Sequence, residues 1–137
     1  MSQLDRISDP TGVAPSSRYS HVVAGRGRQV FVAGQVAFDE NGQLVGAGDA
    51  LAQARQVFAN IGHCLAAAGA GFEHLAKLTV FVTDIGHLPA VRTAWDEALG
   101  TAHAPASSAV QVAGLFQPGL LLEIEAYAIV PEPGQSS

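Results

Sequence analysis

Apolar residues alternate with polar ones along some stretches of this chain and recur every third or fourth position along others, and that change of period lays out the elements. In LLLEIEAYAIV, residues 120–130, a strand puts Leu120, Leu122, Ile124, Ala126, Ala128 and Val130 on one wholly apolar side. The other side carries Leu121, Glu123, Glu125, Tyr127 and Ile129, a mixture that fits either a wet sheet face or the floor of a shallow site. Spacing alone favours the wet face, because charged residues on strands are usually solvated. LAKLTVFVTD alternates in the same way, with Leu78, Val80 and Val82 on one face. YSHVVA and QVFVAGQVAF form two more strand-like runs separated by a GRGR turn, and SSAVQVAGL forms another. Asn41-Gly42 in DENGQ marks a chain reversal.

The helical period takes over at Asp49, a good N-cap. Beyond it Leu51, Ala54, Phe58, Ile61, Leu65 and Ala68 make one apolar stripe, and Gly69 supplies a stop. HLPAVRTAWDEALG is a second helix, with Pro89 in its first turn, Gly100 at its end and an inner stripe of Val91, Trp95, Ala98 and Leu99. Trp95 is expected as a core or interface anchor. Residues 1–18, including the Pro- and Ser-rich SDPTGVAPSSR, are expected to be an irregular lead-in and 131–137 a flexible tail, flanking a single domain. The order strand, strand, helix, strand, helix, strand, strand combines a βαβ unit with hairpins at both ends. It predicts an α+β fold with a mixed sheet and both helices on one face.

Composition changes this picture at the surface. Of 137 residues, 48% are hydrophobic and only 14% charged, against about 25% in an ordinary soluble domain. So small a domain has too few charges to cover itself, which predicts burial of the open sheet face against other copies of the chain. No apolar run reaches the ~20 residues that span a bilayer, and the N-terminus lacks a signal-peptide pattern, so no membrane is expected and the cytoplasm is the expected location. The single cysteine, Cys64, excludes an internal disulfide and is expected to be an inert buried thiol on a helix. A net charge of −5 argues against nucleic acid as a partner. His21, His63, His74, His87 and His103 are dispersed without metal-ligand spacing, and no cofactor motif is present, so neither a metal nor a cofactor is expected.

From about Tyr19 to Val130 the sequence resembles the RidA/YjgF family of small enamine and imine deaminases. The carriers are YSHVVAGRGRQVFVAGQVAFDENGQLVG, AAAGAGFEHLAKLTVFVTDI, and above all SSAVQVAGL followed by LEIEAYAIV. The resemblance implies a chorismate-mutase-like α+β fold and a homotrimer whose open sheet faces turn inward, with clefts for a small-molecule metabolite between subunits. By motif position it makes Glu123 the acid that positions or activates the water attacking an imine carbon, a general-base role worth about 10² to 10⁴ in rate. Tyr19 matches a tyrosine reaching into the cleft, and Gly34 a glycine whose close backbone approach forms the pocket wall. Read without the resemblance, Tyr19 is a surface aromatic, Gly34 a bulge or bend, and Glu125 structural or solvated.

One departure bears on activity. The active deaminases of this family carry an arginine in a P-A-R-S/T motif that binds the substrate carboxylate in a paired, charged contact. Here Pro105 and Ala106 match, but Ser107 stands at the arginine position. Loss of such a contact costs about 1.5–3 kcal/mol. Arg92, where the family often has an asparagine, could replace the anchor, or could pair with Asp96 one turn on. Ser107 and Ser108 could donate hydrogen bonds to the substrate. Two functions therefore compete: hydrolysis of a C–N bond in a small imine or enamine, and a trimer that binds a metabolite without turning it over. Ribonuclease activity, attached to parts of the family, does not suit the acidic balance.

Overall fold

The computed structural model describes residues 4–132. Its strands are β1 (Leu4–Ile7), β2 (Val22–Gly25), β3 (Arg28–Gln35), β4 (Leu75–Val82), β5 (Ala106–Gln111) and β6 (Leu122–Val130). Helix α1 (Ala50–Ala67) lies between β3 and β4, and α2 (Leu88–Leu99) between β4 and β5.

The helices begin and end where the sequence directs. The Asp49 carboxylate accepts the Ala52 amide at 3.0 Å, and Gly69, at φ +73°, lets the chain leave α1 with the Ala70 amide bonded back to Leu65 O. Arg28 donates to Ala68 O at 2.7 Å, placing a cation at the negative end of α1. Val57, Phe58, Ile61 and Leu65 of α1 and Val91 and Ala94 of α2 are buried with Leu78, Val80 and Val82 of β4 and Leu122, Ile124, Ala126 and Ala128 of β6, so both helices cover one face of the sheet.

The main sheet has the order β3-β6-β4-β5, antiparallel except for the parallel β4–β5 pair, and is therefore mixed as expected. Its connections are not the expected terminal hairpins. β6 inserts between β3 and β4, where its apolar side completes the core beneath the helices, and β2 pairs with β1 instead of β3. Part of the presumed irregular lead-in is thus a strand: Leu4 is buried, and Leu4–Ile7 runs antiparallel to Val22–Gly25. The charged LDRI hides this strand from a search for apolar alternation. Residues 133–137 of the predicted tail lie outside the described residues.

Gln53, which the apolar stripe passes over, is fully buried. Its amide donates to Gly46 O and Gly119 O and accepts from the Leu121 amide, all within 3.1 Å. A buried amide so bonded ties α1 to the turn before it and to the segment that starts β6.

Candidate functional site

The structure sorts the candidate residues onto two sides of the sheet. Ser107 stands beside Leu78 and Ala109 beside Val80, on the side the helices cover. There a cavity of about 340 Å³ opens between α2 and the β5 edge, lined by Tyr19, Arg92, Trp95 and Ser107 together with Val80, Leu88 and Val91. Tyr19 arrives through a strapped loop. Ser16 Oγ accepts the amides of Arg18 and Tyr19, while Ser20, buried, donates its hydroxyl to Ala104 O and its amide to Pro105 O. Those bonds fasten the Tyr19 segment to the residues that start β5. Nothing in the sequence singles out Ser16 or Ser20, because their partners are backbone groups, amides for Ser16 and carbonyls for Ser20, which any residue presents.

Trp95 packs edge-on against Phe58 at 6.5 Å between ring centres and also lines the cavity, so it is both core anchor and cavity wall. Arg92 does not pair with Asp96. The Arg18 guanidinium takes both Asp96 oxygens, at 3.0 and 3.1 Å, and Arg92 has no hydrogen-bond or ion-pair partner among the described residues.

The other side of the sheet is bare. Glu123 lies there beside Phe81, whose other neighbour is Val110, an apolar row across β6, β4 and β5. Glu125 lies in the next row, beside Thr79 and Ser108. Both acids are half-buried, and Glu123 makes no hydrogen bond or ion pair to any described residue. On its β3 side the ladder shifts register between Val32 and Gln35, a bulge that contains Gly34. A Cβ on Gly34 would overlap the Glu123 carboxylate, so glycine here provides the seat on which the acid rests. Ser108 belongs to this side too, exposed and hydrogen-bonded by Lys77 Nζ at 3.2 Å. The adjacent serines therefore diverge: Ser107 joins Tyr19 and Arg92, while Ser108 does not.

A second depression, of about 710 Å³, runs from Gly34 along α1 past Asn60, His63 and the half-buried Cys64. Among the described residues no three His, Cys, Asp or Glu side chains converge as metal ligands, and no helix is long and apolar enough to cross a membrane.

A mixed sheet backed by two helices on one face is an α+β fold, and it is the fold of solved Rid-family structures. Residues 10–130 match the family described as Endoribonuclease L-PSP, and the chain belongs to that family, the YjgF/RidA family. It is 37% identical over 132 residues to the human 2-iminobutanoate/2-iminopropanoate deaminase, covering 94% of this chain and 93% of that one. It is also 37% identical over 101 residues to the 3-aminoacrylate deaminase RutC of Acinetobacter baylyi, covering 74% of this chain and 79% of that protein. Among solved structures, YyfB of Yersinia pestis, a Rid-family protein of unknown function, superposes with a TM-score of 0.86 at 36% identity, covering 94% of this chain and all 100% of that one.

Proposed function

We propose that this chain is a hydrolytic deaminase of a small imine or enamine, with Glu123 positioning and activating the water in a cleft completed by a neighbouring copy of a homotrimer. The observation that carries the reading is the Glu123 carboxylate, half-buried in an apolar row, without a partner among the described residues, and fitted over a glycine. A carboxylate so placed is available to take a proton from water. Attack of that water on the C=N carbon gives a carbinolamine, whose collapse releases ammonia and leaves a carbonyl; an enamine first gains a proton on carbon to become the imine. Relatives named as deaminases of 2-iminobutanoate, 2-iminopropanoate and 3-aminoacrylate support this class of substrate.

The division of the candidate residues supports the shared cleft. Tyr19, Arg92 and Ser107 lie on the helix side of the sheet, and Gly34 and Glu123 on the bare side. In this reading one copy's Glu123 meets the cavity of the next. Phe31, 69% exposed, and Tyr127 pack edge-on at 5.5 Å on the bare face, and Val110 is exposed on the same face at the opposite edge of the sheet, apolar surface suited to burial against another copy. Small-molecule chemistry is preferred to RNA cleavage. The net charge is −5, and five of the seven lysines and arginines are already engaged: Arg6, Arg18, Arg28, Arg55 and Lys77.

A second reading, a trimer that binds a metabolite without turning it over, is favoured by one observation, the serine at position 107. Ammonia release and imine decay, measured on freshly generated 2-aminoacrylate and on bulkier enamines, separate the two. The deaminase reading expects turnover that Glu123→Gln lowers by about 10²–10⁴. Absence of turnover from a folded wild-type trimer, or turnover indifferent to Glu123→Gln, sinks it.

A further inference from the structure

Tyr19, Arg92, Trp95 and Ser107 surround a cavity whose walls are of two chemical kinds. Trp95, Leu88 and Val91 from α2, and Val80 and Ala109 from the sheet, make an apolar body of a size typical of small-molecule sites, about 300 Å³ or more. One charge stands at its edge without a partner. Of the seven basic side chains only Arg26 and Arg92 lack a partner among the described residues, and Arg26 sits in the exposed turn before β3. The nearby Arg18 is neutralised by Asp96. An uncompensated guanidinium beside an apolar cavity, in a chain of net charge −5, fits an anionic group on the ligand.

We propose that this cavity selects a monocarboxylate with an aromatic or branched apolar body, the carboxylate held by Arg92 and the body packed against Trp95. Arg92 is thus a specificity-determining residue on α2, and the short side chains of Ser107 and Ala109 leave the β5 wall open for a body larger than a methyl or ethyl group. The Tyr19 and Ser107 hydroxyls supply hydrogen-bond donors around the anion. This assignment rests on the cavity being the substrate half of the proposed deaminase cleft, but it is read by binding alone and needs no turnover.

Trp95 is the only tryptophan, so the protein carries its own reporter. The full-length assembly is titrated with 3-phenylpropanoate, its neutral isostere 3-phenylpropanamide, and propanoate, following Trp95 fluorescence and heat. The wild type is expected to bind 3-phenylpropanoate at least about tenfold tighter than the amide, as a charge-assisted contact requires, and tighter than propanoate. Arg92→Gln is expected to erase the preference for acid over amide while keeping amide binding, with Arg92→Lys retaining part of it and Arg26→Gln all of it. Equal affinity for acid and amide, a preference that survives Arg92→Gln, tighter binding of propanoate, or no binding by the folded wild type overturns the proposal. Glu123→Gln serves as the separator. With a negative charge removed from the proposed cleft it is expected to bind 3-phenylpropanoate at least as tightly as the wild type, so failure of the deaminase reading shows in turnover and failure of this one in the titration.

Discussion

Glu123 and Glu125 share one side of β6 and similar burial, yet their neighbours differ: Phe81 and Gly34 for the first, Thr79 and Ser108 for the second. Alternation along the strand shows that both acids leave the core, and it cannot show which row each enters, because rows are set by the register with β4 and β3. Gly34 makes the distinction testable. The three atoms nearest an added Cβ there all belong to the flexible Glu123 side chain, so Gly34→Ala is expected to displace the Glu123 carboxylate and leave the fold in place. Turnover should fall by about tenfold or more, as a misplaced reacting group implies, while the melting temperature stays within a few degrees of wild type. An enzyme of wild-type activity, or one that loses stability and activity together, would remove Gly34 as the seat of the acid. Arg92 shows the reverse case. Helical spacing suggests a partner in Asp96, and Arg18, distant in sequence, takes that partner instead.

Local rules decide the elements and fail at their pairings. Asp49, Gly69, Pro89 and Gly100 bound the helices as cap and turn chemistry requires, since each acts within its own turn. The partners of β1, β2 and β6 are set by contacts between distant segments, as when Arg6 of β1 donates to Ala104 O and Glu73 O. Its guanidinium is held below the usual arginine range by burial. The two helices are clasped on their outer side by Arg55 and Glu97, whose paired contacts are 2.8 and 2.9 Å. The hydrogen bonds from Arg55, reinforced by its charge, hold the Glu97 carboxyl below the usual carboxylate range. A carboxyl lowered on folding adds stability above its unfolded value and loses it as pH falls through the folded one. The stability difference between wild type and Arg55→Gln, measured by urea unfolding, should therefore be present near neutral pH, shrink below about pH 4 and shrink also in high salt. A difference that grows on acidification would contradict the clasp.

At the scale of the whole molecule, the low charge content and the exposed Phe31, Tyr127 and Val110 concern the same bare face. Phe31→Glu places a charge on this face without touching the core. Light scattering is expected to show the wild type as a trimer and the variant as smaller species, with helical signal retained; a variant that stays trimeric would move the interface elsewhere. The sequence by itself determined the helices, their caps, the apolar side of each core strand and the side of β6 that bears the acids, because period and capping are properties of neighbouring residues. It also marked Tyr19, Gly34, Arg92, Ser107, Ser108 and Glu123 through motif positions. Only the tertiary structure decided that β6 lies between β3 and β4, that β1 is a strand, that Ser107 and not Ser108 joins Tyr19 and Arg92, and that Arg92 is left without a partner among the described residues beside Trp95. Each of these depends on which distant segments meet, and that is fixed by the shared burial of several elements at once.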